Sequence, residues 1–103
     1  MDRKIALITG ATAGIGYETA LMLAGNEYNL ILTGRRKDRL ESVKTEIESK
    51  TSAKILILNF DVREKEETDN ALNSIPESWR AIDVLINNAG LAAGFDPINS
   101  ADT

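Results

Sequence analysis

The sequence contains no cysteine and no histidine in its 103 residues. Disulfide bridges, zinc fingers and every Ser-His or Cys-His nucleophilic pair are thereby excluded. Acid or base work is left to Asp, Glu, Lys or Tyr. An excess of basic charge is also missing, since 12 Lys and Arg stand against 16 Asp and Glu for a net charge of -4. No general affinity for nucleic acid or anionic membrane is expected, and any anion must be held by a local site. Long apolar runs are absent too. The longest, Ala20 to Ala24, falls far short of a membrane span. An apolar strand-like run follows Met1 within a few residues, leaving no room for a signal or transit peptide, so the expected location is cytoplasmic.

What is present is the composition of a soluble globular domain, 43% hydrophobic and 27% charged. The length allows one small domain, residues 1–103. Ile5-Ala6-Leu7-Ile8 reads as a strand buried on both faces, ended by Thr9-Gly10. Ile15 to Ala24 reads as a helix, with Gly25-Asn26 as its stop signal. Tyr28 to Thr33 is a second strand ended by Gly34. Lys37 to Lys50 is an amphipathic helix carrying Leu40, Val43 and Ile47 on one stripe. Ala53 to Phe60 is a third strand, Glu64 to Ser74 a polar helix with Ala71 and Leu72 inward, and Ile82 to Ile86 a fourth strand. The order β-α-β-α-β-α-β, with right-handed crossovers, implies a Rossmann-like doubly wound parallel sheet, of which this is the N-terminal part. Glu64 to Glu67 reads as a solvated helix face. Trp79 reads as packing at a loop corner, and Asp83 as a structural brace.

Between the first strand and first helix lies Thr9-Gly10-Ala11-Thr12-Ala13-Gly14-Ile15-Gly16. A pyrophosphate needs backbone N–H groups facing it, a helix N-terminus behind them, and no side chains in the way. Glycines at a strand-to-helix turn meet those demands, although Gly10, Gly14 and Gly16 are spaced differently from the common dinucleotide fingerprint. A tight turn alone would also use glycines. The Gly-Lys-Ser/Thr ending of a P-loop is absent, which disfavours nucleoside triphosphate hydrolysis.

Thr9-Gly10-x-x-x-Gly14-Ile15-Gly16, Asp61-Val62 past the third strand and Asn87-Asn88-Ala89-Gly90 past the fourth together resemble the short-chain dehydrogenases/reductases. The resemblance covers essentially the whole chain. It is nearest to the NADP-dependent serine and 3-hydroxy acid dehydrogenase subgroup. It implies an oxidoreductase moving hydride between NADP(H) and an alcohol or carbonyl, which would be a small-molecule partner, and a homo-oligomer is expected. By resemblance, Gly10, Ala11, Thr12, Ala13, Gly14, Ile15 and Gly16 hold the cofactor. Asp61 would accept a hydrogen bond from the adenine amino group, with the backbone of Val62 nearby. Asp61 could equally cap a helix starting near Arg63. Asn88 would lie against the cofactor ribose, and Ala89 and Gly90 would leave it room, though Asn and Gly also suit a plain turn.

The second strand ends Thr33-Gly34-Arg35-Arg36, where folds that bind NAD usually carry an acid for the ribose 2'-hydroxyl. An Arg fork can hold a 2'-phosphate instead. Arg35 and Arg36 are therefore expected to select NADP(H). Ordinary surface charge is the competing reading, but cations at a helix N-terminus oppose its macrodipole.

The family's chemistry uses a Ser and a Tyr-x-x-x-Lys, in which the phenol exchanges the proton as hydride moves. Tyr17 and Tyr28 are followed four residues later by Leu21 and Leu32, so neither fits, and both read as packing. No catalytic residue is expected within these residues, and the domain reads as truncated. A non-catalytic nucleotide-binding or regulatory module is the alternative.

Overall fold

The computed structural model describes residues 3–10 and 14–87, with Ile15 by its backbone only. Ala11, Thr12, Ala13, Asn88, Ala89 and Gly90, all expected to meet a cofactor, lie outside the described residues, as does the side chain of Ile15. The chain forms β1 (Lys4–Thr9), α1 (Gly14–Gly25), β2 (Tyr28–Gly34), α2 (Lys37–Lys50), β3 (Ile55–Asn59), α3 (Lys65–Asn73), a short 3-10 turn (Glu77–Trp79) and β4 (Val84–Asn87). The strands form one sheet in the order β3-β2-β1-β4, and every pair is parallel. The expected alternation and sheet type are those observed.

Alternation along each strand divides the interior into two layers. Ala6, Ile8, Leu30 and Leu32 face the helices α1 and α2, where Ala20, Ala24, Leu40, Val43 and Ile47 complete the layer. Ile5, Leu7 and Ile31 face the other side and pack with Leu58, Phe60, Val62 and Ile75. A strand buried on both faces cannot alternate apolar with polar, which is why each reads as a continuous apolar run. Trp79 is half-buried against this second layer, as expected of a packing residue. Tyr17 and Tyr28 pack against the first layer, again as expected.

The ends of the elements carry the differences from the sequence reading. Parallel pairing extends β1 and β2 through Thr9 and Gly34, because register places Thr9 beside Thr33 and Thr33 beside Leu58. Asp83 lies just before β4 instead of within it. Its carboxylate accepts a hydrogen bond from Ile5 N at 2.9 Å, and its own N–H donates to Ile5 O at 2.8 Å. The side chain thus does the work of one ladder rung, which is the bracing role read from the sequence. After α1 the left-handed residue is Glu27, with φ of 71°, and neither Gly25 nor Asn26. Asn26 instead closes the helix through its N–H to Leu23 O at 2.9 Å and its side chain to Met22 O at 2.8 Å. Among the described residues no helix is long and apolar enough to cross a membrane.

Candidate functional site

Register brings the carboxyl ends of the strands level. Thr9 pairs with Thr33 and with Asn87, and Gly34 pairs with Asn59. The residues just past those ends, Gly10, Arg35 and Asp61, therefore emerge on one rim. Ligands of open parallel sheets bind at this rim, where successive crossovers leave on opposite faces. Here α1 and α2 cover one face while α3 covers the other, so the divergence lies between β1 and β4.

A cleft of about 270 Å³ opens at the rim. Gly10, Gly34 and Arg35 form one wall, and Phe60, Asp61, Val62 and Arg63 the other. Gly34 ties the walls together, because its carbonyl accepts hydrogen bonds from Phe60 N and from the Asn59 side chain, both at 3.0 Å. The volume is near the lower end of the roughly 300–1,000 Å³ usual for small-molecule sites.

Two glycines of the β1–α1 turn have backbone angles that other residues rarely adopt. Gly10 has φ of 65° and Gly14 φ of 59°. An added Cβ at Gly14 would meet nothing within 4 Å, so its glycine is demanded by conformation and not by close packing. Gly16 is buried within the first turn of α1. A helix N-terminus preceded by such a turn presents N–H groups and a positive dipole end to an anion.

Arg35 is exposed on the cleft wall and, among the described residues, makes no hydrogen bond or ion pair. Arg36 holds the N-cap position of α2 with extended backbone and no side-chain capping bond. It is exposed beside the cleft but does not form its wall.

Asp61 is the most heavily engaged group in the cleft. Its Oδ1 accepts from Arg63 N at 2.9 Å and Arg63 Nε at 3.1 Å, while Oδ2 accepts from Arg63 Nη2 at 3.0 Å. Its own N–H donates to Glu67 Oε1 at 3.1 Å. The bond to the N–H two residues on makes an Asx turn. The helix itself begins only at Lys65 with Glu64 at the N-cap, so Asp61 shapes the approach to α3 without capping it. The Arg63 side chain, its backbone N–H and the nearby charge of Arg35 hold the Asp61 carboxyl well below its usual range, at about 2. It is a carboxylate at any neutral pH.

On the far side of the rim, Thr9 Oγ1 donates to Asn87 Oδ1 at 3.1 Å, joining the ends of β1 and β4. Arg63 and Glu67 were not singled out as site residues by sequence reasoning. The signal for Arg63 was the Asp-x-Arg spacing, which puts a guanidinium within reach of a carboxylate across one turn.

The arrangement can hold a dinucleotide anion: glycine backbone at the N-terminus of α1 for a pyrophosphate and, at the end of β2, a guanidinium that makes no hydrogen bond or ion pair among the described residues, with no acid at the end of β2 itself. Comparison with known proteins agrees with that reading. Residues 4–103 match the family model described as short chain dehydrogenase. The chain is 48% identical over 102 residues to a probable NADP-dependent dehydrogenase of Haemophilus influenzae, covering 99% of this chain and 39% of that protein. It is 42% identical over 97 residues to an NADP-dependent 3-hydroxy acid dehydrogenase of Salmonella typhi, covering 94% of this chain and 38% of that one. Among solved structures, L-sorbose reductase of Gluconobacter frateurii, complexed with NADPH and L-sorbose, superposes with a TM-score of 0.80 at 30% identity. That match covers 99% of this chain and 39% of the reductase chain. The chain therefore spans about 39% of the length of such relatives. With the family model matched across nearly its whole length, this chain is a member of the short chain dehydrogenase family.

Proposed function

We propose that these residues are the NADP(H)-binding part of an oxidoreductase that moves hydride between NADP(H) and an alcohol or carbonyl, a 3-hydroxy acid or serine-like compound being the favoured class. The observation that carries the reading is Arg35, an exposed guanidinium on the cleft wall at the end of β2 that is unpaired among the described residues. The nicotinamide, when bound, accepts or delivers the hydride.

The chain's own residues do the holding. Gly10, Ala11, Thr12, Ala13, Gly14, Ile15 and Gly16 give the pyrophosphate backbone N–H groups and the N-terminus of α1. Arg35, with Arg36 beside it, takes the 2'-phosphate through charge-assisted bonds. Asp61 offers a fixed carboxylate to the adenine amino group, and Val62 closes the apolar wall beside it. Asn88, Ala89 and Gly90, which come next in the sequence after β4, are assigned to the ribose side. The proton that accompanies the hydride is assigned to a Tyr-x-x-x-Lys and Ser outside these residues, since Tyr17 and Tyr28 lack the partner Lys. Tyr17 in particular is committed elsewhere, donating to Glu46 Oε2 at 2.6 Å.

The test is NADPH oxidation with 3-oxo acids and serine-derived aldehydes by the longer protein this reading requires, one that also carries the Ser and Tyr-x-x-x-Lys, run beside residues 1–103 alone. Turnover by the longer protein is expected, with loss of about a hundredfold or more in the short form, as positioned acid–base groups contribute that much. Equal turnover in both would place the chemistry within these residues and contradict the assignment.

A further inference from the structure

The cleft wall contains Asp61 as well as Arg35, and a carboxylate there opposes the binding of a phosphate dianion. We propose that Arg63 is a specificity-determining residue: by gripping Asp61 through Nε and Nη2 it cancels that carboxylate and leaves Arg35 available to a 2'-phosphate. The inference rests on the dinucleotide reading above.

Four observations support it. Arg35, Asp61 and Arg63 all line the same cleft. The Asp61–Arg63 contact is a two-pronged fork, at 3.1 Å to Oδ1 and 3.0 Å to Oδ2, so the guanidinium covers both oxygens of the carboxylate. The turn itself delivers the pairing, because Arg63 N also donates to Oδ1 and the Asp61 N–H is tied to Glu67. Asp61 already senses the charge of Arg35. Without Arg63, Arg35 is the remaining cation on the cleft wall, and a pairing between Arg35 and Asp61 would withdraw it from the phosphate. NAD carries no 2'-phosphate and is indifferent to this competition.

The experiment is calorimetric titration of the full chain with adenosine 2',5'-bisphosphate and with 5'-AMP, the ratio of affinities being the readout. Arg63→Ala is expected to lower the ratio about three- to fivefold, the upper range for an exposed ion pair. Arg63 is 64% exposed, so its removal leaves no buried hole. The double variant Arg63→Ala with Asp61→Ala is expected to restore the ratio to within about twofold of the unmodified protein, because the carboxylate to be cancelled is then gone. An unchanged ratio in Arg63→Ala overturns the proposal. So does a ratio that stays low in the double variant, which would make Arg63 itself a phosphate ligand. If the unmodified protein shows no preference for the bisphosphate, or Arg35→Ala leaves the ratio unchanged, the cofactor reading fails and the role of Arg63 with it.

Discussion

Ile5 and Asp83 exchange two hydrogen bonds, backbone to carboxylate at 2.9 Å and backbone to backbone at 2.8 Å, and so clamp the start of β1 to the approach to β4. Ile5 is 9% exposed, so its N–H has little access to water once the carboxylate is gone. Asp83→Ala is expected to destabilise the fold by about 1–2 kcal/mol, the cost of an orphaned donor. Asp83→Asn keeps an acceptor oxygen and should cost less than half as much. Urea denaturation of the two variants measures the difference, and equal losses would show that the acceptor is not what matters.

Glu27 holds a left-handed backbone at φ of 71° without the freedom of glycine. Glu27→Gly should relieve that strain and stabilise the fold by about 0.5–1 kcal/mol, even though glycine gives more entropy to the unfolded chain. The check is the midpoint of thermal or urea unfolding. A decrease in stability would mean that the Glu27 side chain contributes more than its conformation costs.

Asp61 provides a pH test. Its carboxyl is depressed to about 2 in the folded protein, first by the hydrogen bonds from Arg63 and then by the charges of Arg63 and Arg35, with Glu67 at its backbone and Glu64 near Arg63. A depressed folded pKa contributes stability that is present above the ordinary value of 3.8 and lost as pH falls toward 2. Arg63→Ala should bring the Asp61 titration, followed by carboxyl NMR, back toward 3.8. A titration that does not move would locate the cause elsewhere.

The β4 edge predicts association. β4 is the outer strand on its side of the described sheet, and each of its residues is only half-buried. Exposed edges with apolar side chains pair readily with other chains. Residues 1–103 by themselves should sediment as oligomers at high concentration. A clean monomer would show the edge to be protected.

The order of elements and the sheet were legible because burial on both faces writes itself as continuous apolar runs, and α2 because its stripe of Leu40, Val43 and Ile47 is cleanly separated from charge. Strand ends were less legible, since hydrogen-bond register and not apolarity decides them: Thr9 and Gly34 belong to strands, while Ala53 and Lys54 do not. Lys54 N instead donates to the Asn29 side chain at 2.9 Å. In the site, Gly10, Arg35, Asp61 and Val62 could be read from their places after strands, and the structure brings these four into one cleft. The Asp61–Arg63 fork was legible only as an Asp-x-Arg spacing, because a rotamer choice across a turn leaves no periodic trace. Glu27 was missed for a similar reason, as Gly25-Asn26 carried the composition of the turn while the chain placed the strain one residue later.

Selection of NADP(H) by the cleft is read from the affinity of the protein for NADP and for NAD, before and after Arg35→Ala with Arg36→Ala. A preference for NADP is expected, with its loss by about tenfold or more in the variant, the worth of charge-assisted bonds to one phosphate, and NAD affinity nearly unchanged. Equal loss for both nucleotides, or no preference in the unmodified protein, would contradict it.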